Sequence, residues 1–423
     1  MRRSCLWSAL LVCAAAREAT AAGFALYDQS ARGIGMGGAV TAQASDPSAI
    51  FHNAAGIAFQ KDRQLSIGST LFTLSTDFTG ADPFPGAGRE EHLDIAVPVP
   101  VGYYVHPVSD RVVLGLGVFA PFGLKTEWND AEFSGRFISR LAKLDAIAIN
   151  PSVGYRVSDR LAVGGGVDVR VTSVQLERDV PFPNPVTGVL LDVASARLES
   201  DTAVDVGFNA GILVRPTRAL SLGAAYRHRV TAEFTGQAAF TPRPTGSAPI
   251  DAVVRAVLPA QPVPLRTDIA FPGIASVGAA YRTGDWTVEA DVNWYQWSTF
   301  ERLALDFDGR DDLDQTIREE YEDSLQYRVG VERVLGPSWA IRGGYYYDES
   351  PAPAASVSPI LPDPNRHALA IGGSWTGRRV RLDGALGYVI GTDRSTEGLN
   401  RDGFNGTYRS TGFVVSAFVG YVF

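Results

Sequence analysis

Cysteine is almost absent from this sequence of 423 residues, which contains only Cys5 and Cys13. Both lie in an N-terminal stretch where two arginines precede an apolar run that is too short to span a bilayer, and an Ala-x-Ala motif follows. This arrangement predicts a secretory signal peptide over residues 1–21. The exported chain would then contain no cysteine, which excludes disulfides and thiolate metal sites.

Long apolar runs, basic stretches and catalytic motifs are also missing. No later segment approaches the ~18–20 apolar residues of a membrane helix. Loss of the signal peptide removes three arginines and one glutamate and changes the formal net charge from −8 to −10, which does not fit a nucleic-acid binder. The five histidines lack metal-ligand spacing, and no Gly-x-Ser-x-Gly motif is present. We therefore predict no metal, no cofactor and no enzyme, with a serine and histidine converging from distant strands as the catalytic alternative.

Alternation with a period of two is the dominant pattern that is present. In one C-terminal segment, Leu382, Leu386 and Tyr388 share one parity, while Arg381 and Asp383 share the other. Similar segments recur from about residue 65 onward, and this period is typical of β-strands. An apolar face opposite a charged face fits a barrel with lipid outside and a polar interior.

Short and long connections alternate between these segments. The sequence predicts short turns at His106–Asp110, Arg156–Arg160, Arg215–Ala219, Arg282–Asp285, Leu335–Ser338 and Thr376–Arg379. It predicts long connections at Thr76–Glu91, Phe122–Lys143, Leu176–Glu199, Gln237–Arg266, Ser298–Asp323, Asp348–Arg366 and Thr392–Arg409. This order is typical of tight periplasmic turns and long outer loops, so we predict an all-β, transmembrane antiparallel β-barrel of about 14 strands.

The end of the chain supports a location in the bacterial outer membrane. Phe413, Val415 and Val419 share one parity with the final Phe423. Such an ending resembles the C-terminal strand by which outer-membrane barrels are recognised for assembly. The expected partners are outer-membrane lipid, lipopolysaccharide and the barrel assembly machinery, and we expect a monomer that binds no nucleic acid.

The segment before the first strand shows no clear alternation and is rich in glycine and alanine. Its Gly33, Gly35 and Gly38 match the Gly-x-Gly-x-x-Gly spacing of a dinucleotide-binding turn. No strand precedes them, and an exported protein meets no pool of dinucleotide, so we reject nucleotide binding. Because the segment is too short to fold alone, we expect it inside the barrel. The predicted organisation is a plug over residues 22–63 and a barrel over residues 64–423.

Residues 23–58, from "GF" through "DPSAIFHNAAGIA", resemble the plug of the FadL/TodX family of outer-membrane transporters of long-chain fatty acids and hydrophobic compounds. Matching stretches also occur at 119–128, 134–169, 278–300 and 361–375. The resemblance implies passive uptake through outer-loop capture, an internal apolar pocket, plug rearrangement and lateral release. The family's plug usually carries Asn-Pro-Ala, whereas two alanines follow Asn53 here.

The resemblance also implies a gate and a window. Flexible glycines in the plug would let its backbone shift, and the predicted gate comprises Phe24, Gly33, Gly35, Gly38, Asn53 and Gly56. In the family, a kinked strand opens a lateral window, and a proline and a glycine interrupt the corresponding strand here. The predicted window comprises Pro121, Phe122, Gly123 and Asp348, with an ordinary strand end as the alternative for the first three and an ordinary loop acid as the alternative for Asp348.

Two long connections carry apolar residues that a loop in water does not need unless they pack or bind. In one of them, the apolar residues have helical spacing. We predict that these loops capture hydrophobic molecules, with simple capping of the barrel as the alternative. The residues concerned are Phe182, Val189, Leu190, Ile250, Val254, Val257 and Leu258.

A fatty-acid carboxylate needs a basic partner inside the barrel. Strand parity places Arg170, Arg328, Arg342 and Arg381 inward, and a structural salt bridge in the lumen is the alternative role for each. The predicted cargo is a long-chain fatty acid or a similar hydrophobic molecule. The rival functions are uptake of aromatic hydrocarbons and, further from the resemblance, a general porin or an adhesin.

Overall fold

The computed structural model describes residues 23–43, 46–184 and 188–423. The predicted signal peptide lies outside the described residues. Three α-helices are present in the described chain, α1 (Ala31–Gly35), α2 (Ala49–His52) and α3 (Ala248–Val257), together with 3-10 helices at Ala54–Phe59, Trp297–Thr299 and Asp311–Leu313. None of these described helices is long and apolar enough to cross a membrane.

Twenty strands are described, and they make up the rest of the regular structure. They are β1 (Gln64–Gly80), β2 (Glu90–Pro107), β3 (Val112–Glu127), β4 (Leu141–Ser158), β5 (Leu161–Pro183), β6 (Leu190–Ser200), β7 (Ala203–Val214), β8 (Leu220–Arg227), β9 (Val230–Pro242), β10 (Val263–Phe271), β11 (Ile274–Thr283), β12 (Trp286–Tyr295), β13 (Arg302–Phe307), β14 (Gln315–Arg318), β15 (Ser324–Leu335), β16 (Trp339–Asp348), β17 (Arg366–Thr376), β18 (Val380–Gly391), β19 (Arg394–Ser395) and β20 (Gly406–Val422).

These strands close into a barrel with fourteen wall strands. β1 pairs antiparallel with β2 on one side and with β20 on the other, so the described sheet is continuous around the barrel. Three wall strands consist of two segments separated by two residues, namely β6 with β7, β8 with β9, and β10 with β11. β13, β14 and β19 are short additions in the connections and do not belong to the wall. When each two-segment strand is counted once, the described wall has fourteen strands. The predicted fold is confirmed.

The parity of the strands sorts side chains between lipid and lumen. On β20, Val415 and Val419 are 44% and 54% exposed on the outer face, whereas Val414, Ser416 and Phe418 are buried on the inner face. In a barrel, closure leaves no backbone donor or acceptor unpaired in hydrocarbon, where each unmet group costs several kcal/mol. The outward apolar stripe predicted from the sequence is therefore the lipid-facing surface.

All six predicted short turns connect consecutive wall strands, but the predicted long connections are shorter than expected. β1 continues to Gly80 and β2 begins at Glu90, although the sequence predicted a loop from residue 76 to residue 91. Likewise, β5 continues to Pro183 and β9 to Pro242. Toward these strand ends the outward residues become polar, as with Asp77 and His92, so the regular alternation disappears from the sequence while the hydrogen-bonded ladder persists.

The N-terminal segment fills the lumen. From residue 23 to residue 60 its described side chains are mostly buried, and α1 lies against β16, β17 and β18 while the 3-10 helix at Ala54–Phe59 lies against β4, β5 and β7. β1 begins at Gln64, directly after this segment. An apolar cluster occupies the outer half of the barrel, where strand ends and loops bring together residues such as Phe78, Trp128, Leu303 and Phe404.

Candidate functional site

A cavity of about 550 Å³ lies between the start of the plug and the inner faces of β1 to β4. Its walls are mainly apolar, because the inward residues of these strands at this level are aliphatic or aromatic. The lining includes Phe24, Leu26, Phe72, Leu74, Ile95, Val97, Phe122, Leu124, Leu144 and Val389. This volume falls within the range of about 300–1,000 Å³ that is typical of pockets for small apolar ligands.

The cavity reaches a gap in the barrel wall between β2 and β3. These strands pair only over residues 102–107 of β2 and 113–118 of β3. Beyond this point β4 is the one described wall strand that pairs with β3, and the register shifts at a bulge between Phe119 and Phe122. Lining residues of both the inner and the outer faces, such as Leu144 and Ile147, contribute to the cavity. The cavity therefore extends from the lumen through the wall.

Two prolines on β2 explain why the ladder stops, and the sequence analysis missed them. The Val99 carbonyl accepts a hydrogen bond from Ser69 Oγ on β1, so the backbone groups of Val99 point toward β1. Because successive residues of a strand alternate, Pro98 and Pro100 point toward β3, where neither has an N–H to donate. The repeated Val-Pro in "AVPVPV" was the signal that could have identified this free edge.

The plug closes the inner side of this gap with backbone hydrogen bonds. Leu26 N donates to Pro121 O at 2.9 Å, and Gly123 N donates to Phe24 O at 3.0 Å. Gln29 adds a side-chain bond, because its Nε2 donates to Ala120 O at 2.7 Å. The first plug residues thus occupy the edge of β3 that β2 leaves unpaired. The predicted window residues Pro121, Phe122 and Gly123 all lie at this junction.

An aromatic cluster surrounds Phe24 at the inner end of the gap. The Phe24 ring lies 4.7 Å from Trp297 and 5.6 Å from Phe300, centroid to centroid. It also meets Phe122 at 6.2 Å and Phe271 at 6.0 Å. All of these contacts are edge-to-face, which is a favourable geometry for aromatic pairs. We call these five residues the aromatic cluster.

One end of the cavity is charged. Arg328 and Arg366 line it together with Asp28 and Asp348, and Asp348 Oδ1 has no hydrogen-bond partner among the described residues. Arg328 stacks over Tyr27 at 4.1 Å, and its Nη1 donates to Gly37 O at 3.0 Å. Burial raises the pKa of the Asp28 carboxyl, while the nearby charges of Arg328 and Arg366 act in the opposite direction. The sequence analysis did not select Arg366, which the long connection before β17 brings to this site.

The other predicted arginines lie outside the cavity lining. Arg342 Nε donates to Glu332 at 2.7 Å and its Nη2 to Ser374 at 3.0 Å, in a buried network that also includes Arg32. Arg381 pairs with Asp383 at 2.7 Å. Both of these arginines therefore have the structural salt bridges that were the alternative in the sequence analysis. Arg170 lies behind the aromatic cluster, next to the cavity.

The predicted gate residues hold the plug close to the wall. Gly35 faces Gly372 of β17, and a Cβ on either glycine would come within about 3.0 Å of the other backbone. Gly38 has φ +78° and leaves room for the Arg328 side chain. Gly33 fits against the ring of His52, a residue whose pKa burial lowers to about 3. The three glycines thus permit close approach and provide no phosphate-binding turn.

Asn53 joins two parts of the plug to the wall. Its Nδ2 donates to Thr41 O at 2.9 Å and to Ile212 O of β7 at 3.1 Å, while its Oδ1 accepts from Ala55 N at 3.2 Å. The last of these bonds caps the 3-10 helix that contains Gly56, whose N–H donates to Asn53 O.

The predicted capture residues lie on the outer connections. The helical spacing is confirmed by α3, which includes Ile250, Val254 and Val257, with Leu258 as its C-terminal cap. Val254 is buried, whereas Val257 is 56% exposed, and Ile250 and Leu258 are half-buried. On the other connection, Val189 and Leu190 are exposed, and Phe182 is half-buried at the end of β5. Exposed and packed residues therefore occur together on both connections.

A closed β-barrel with an internal plug, an apolar cavity and a gap in its wall defines a class of outer-membrane channel. Over residues 12–423 the chain matches the family described as outer membrane protein transport protein (OMPP1/FadL/TodX). The chain belongs to this family. It is therefore a non-enzymatic outer-membrane protein that transports hydrophobic compounds.

Individual relatives agree with this assignment. The long-chain fatty acid transport protein of Salmonella typhi is 25% identical over 413 residues, covering 91% of each chain. The outer membrane protein P1 of Haemophilus influenzae is 26% identical over 415 residues, covering 88% of this chain and 86% of the relative.

Solved structures share the fold. A Pseudomonas aeruginosa FadL homologue superposes with a TM-score of 0.81 at 21% identity, covering 95% of this chain and 99% of that chain. The Pseudomonas putida toluene transporter TodX superposes with a TM-score of 0.71 at 18% identity, covering 94% of this chain and 98% of that chain.

Proposed function

We propose that the protein takes up long-chain fatty acids, or closely similar amphiphiles with an acidic head, by passive transfer across the outer membrane. The cargo first adsorbs to the apolar residues of the outer connections, including Val189, Leu190 and Val257. It then enters the cavity, displaces the start of the plug from β3 and leaves through the gap between β2 and β3. Each buried CH₂ contributes about 0.8 kcal/mol, so the cargo follows apolar surfaces and avoids a watery pore.

The observation that carries this proposal is the combination of an apolar cavity with an arginine-containing end. A hydrocarbon alone would need no charged group, and burying charged groups without a partner is costly. Arg328 forms no ion pair within 4.0 Å among the described residues and can donate to a carboxylate, while Arg366 beside it already pairs with Asp363 at 2.7 Å. The neighbouring aliphatic walls accommodate a chain. Among the candidates, Arg328 is the cargo-binding residue, and Arg342 is not part of the cargo site.

Uptake of aromatic hydrocarbons is the second candidate. A toluene transporter shares the fold, and the aromatic cluster offers ring faces and edges. Relatives named long-chain fatty acid transport proteins favour the first candidate. A ligand without a charge would gain nothing from Arg328, so the two candidates differ in how they respond to its replacement.

A displacement assay with a fluorescent fatty acid tests the proposal. Oleate should displace the probe from the purified protein, whereas toluene should compete only weakly. Replacing Arg328 with Gln should weaken oleate binding at least about tenfold, the effect of one charge-assisted hydrogen bond. The matched control is R381Q, which lies in a salt bridge away from the cavity. Strong displacement by toluene with no effect of R328Q would favour the hydrocarbon candidate instead.

The proposed function also assigns a role to each part of the chain. Residues 1–21 direct export, residues 22–63 form the plug and residues 64–423 form the barrel. One barrel contains the whole cavity and the wall gap, so a monomer is sufficient for transport. Outer-membrane lipid and lipopolysaccharide surround the apolar band, and the barrel assembly machinery recognises the C-terminal strand β20.

A further inference from the structure

Arg170 is a buried cation that forms no ion pair within 4.0 Å among the described residues. It lies on β5 with no exposed surface, and its Nη2 donates to His228 O at 3.1 Å. Its Nε and Nη1 have no hydrogen-bond partner among the described residues. Burying a charge in this way is unfavourable unless hydrogen bonds and an opposite charge compensate it. In this conformation the Nε and Nη1 atoms of Arg170 are therefore available to donate hydrogen bonds to a ligand.

The nearby carboxylates do not provide this compensation. Asp168 is already paired with Arg227 and accepts a further bond from Asn150 Nδ2 at 2.8 Å. Asp205 is the direct cross-strand neighbour of Arg170 on β7, but it forms no ion pair within 4.0 Å among the described residues. The guanidinium instead faces two aromatic rings.

These rings separate Arg170 from the cavity. Its Cζ lies 5.3 Å from the centroid of Phe122 and 5.8 Å from that of Phe271, which gives a weak cation–π contact with each ring. Phe122 lines the cavity, as do Val171 and Thr172, the residues that follow Arg170 on β5. Phe24 of the plug rests against both Phe122 and Phe271. A movement of Phe24 would therefore give these two rings room to separate.

The wall is also irregular at this level. His228, the hydrogen-bond acceptor of Arg170, lies in the interruption between β8 and β9. Phe271 ends β10 at the interruption before β11. Where the strands are broken, fewer ladder hydrogen bonds fix the side chains around Arg170, so the rings can move without opening the barrel.

We propose that Arg170 forms a second, deeper carboxylate-binding position that Phe122 and Phe271 close until the plug moves. This inference rests on the proposed function and specifies its cargo as a carboxylate. The acid head would pass from the Arg328 end of the cavity to Arg170 when Phe24 leaves the aromatic cluster. A carboxylate oxygen would then accept a charge-assisted hydrogen bond from Nε or Nη1 of Arg170, the two nitrogens without a partner among the described residues.

Binding of oleate and of oleyl alcohol, measured on the full-length protein in lipid nanodiscs, tests this position. The two ligands share a chain and differ in the head. R170Q should weaken oleate binding at least about tenfold and leave oleyl alcohol unchanged, while R170K should retain most of the oleate affinity. F271A should strengthen oleate binding, and the double variant F271A/R170Q should lose that gain.

D205N is the matched control, because it alters the cross-strand neighbour and leaves Arg170 in place. If Arg170 acted only as a structural partner of Asp205, D205N would reproduce the effect of R170Q. The thermal stability of R170Q gives a second readout, since loss of an unpaired buried charge should not lower Tm. A clear fall in Tm, an equal effect on both ligands, or the same effect in D205N would overturn the proposal.

The proposed function fails separately from this inference. Uptake of oleate into liposomes tests transport, whereas the difference between oleate and oleyl alcohol tests the carboxylate position. If the protein binds oleate selectively through Arg170 but does not transport it, the proposed transport of fatty acids is refuted and the carboxylate position at Arg170 is not. If the R170Q variant transports oleate as rapidly and as selectively as the native protein, the deeper position at Arg170 is refuted and the proposed transport is not.

Discussion

Single side chains in the plug determine how firmly it is held. Ala54 follows the extended Asn53, which has φ −160° and ψ 100°, and begins the 3-10 helix. No hydrogen bond from Ala54 N is formed within the described chain. Proline is favoured at the first position of a helix and after an extended residue. The proline that is usual in the family therefore fits the backbone here although the sequence lacks it.

We expect Ala54→Pro to stabilise the plug by about 0.4–1 kcal/mol, because proline restricts the unfolded chain without removing a hydrogen bond. Hydrogen exchange of the amides at residues 56–60 should become slower. Ala55→Pro is the control, since it removes the N–H that donates to Asn53 Oδ1 at 3.2 Å and should accelerate the same exchange. Equal acceleration by both variants would show that Ala54 is constrained in some other way.

A buried carboxyl in the outer connections gives the loops a pH dependence. Glu319 accepts two hydrogen bonds from Arg401, at 3.0 and 3.1 Å, yet burial raises its pKa to about 7. The folded loops therefore bind more protons than the unfolded chain between the ordinary pKa of glutamate and about pH 7. Their stability is highest below that ordinary pKa and decreases as the pH rises toward 7.

We expect limited proteolysis of the outer connections to become faster in the native protein, relative to E319Q, when the pH is raised from 5 to 8. E319Q cannot ionise and removes this dependence. Glu320 is exposed, so E320Q should behave like the native protein at both pH values. A ratio of cleavage rates that does not change with pH would contradict the role of Glu319.

Strands were more predictable from the sequence than their interruptions. Lipid on one face and a charged lumen on the other give a repeating pattern, as in β18 and β20, and tight turns give a second signal. The breaks between β6 and β7, β8 and β9, and β10 and β11 invert the parity of the inward residues, and the segments on either side are too short for the sequence to show where this happens. The inward arginines were predictable, but pairing across the lumen decides which of them are free, and pairing depends on the whole barrel.

The free edge of β2 leads to a prediction for the wall gap. Pro98→Val together with Pro100→Val should restore two donors opposite β3 and keep apolar residues on the lipid face. Two ladder bonds contribute about 1–3 kcal/mol, so we expect lateral release of a fluorescent fatty acid into liposomes to slow by about tenfold or more. Pro107→Val, at the other end of the same strand, is the control. Unchanged release in the double variant would show that the cargo does not leave between β2 and β3.

The barrel as a whole holds its plug with polar contacts in addition to apolar packing. Asp291 accepts from Val40 N and Thr41 N at 2.9 Å, and Glu289 accepts from Ala42 N at 2.6 Å. Arg32 of the plug pairs with Glu332 at 3.2 Å. Water can replace the polar contacts when the plug moves, whereas the apolar packing resists separation in an aqueous lumen. The plug is thus held in place and can still rearrange.

Deleting Gly23–Phe59 should convert the closed barrel into an open pore. Fourteen wall strands remain and each keeps its neighbours, so the barrel should still assemble, while the lumen loses the segment that fills it. We expect low ion conductance from the full-length protein in planar bilayers and a large increase after deletion. The variant E289Q/D291N should lie between them, because it weakens the acceptors of three plug amides without removing the plug. If the full-length protein already conducts as an open pore and the deletion changes nothing, the plug does not gate the barrel, and the porin interpretation would replace the transporter.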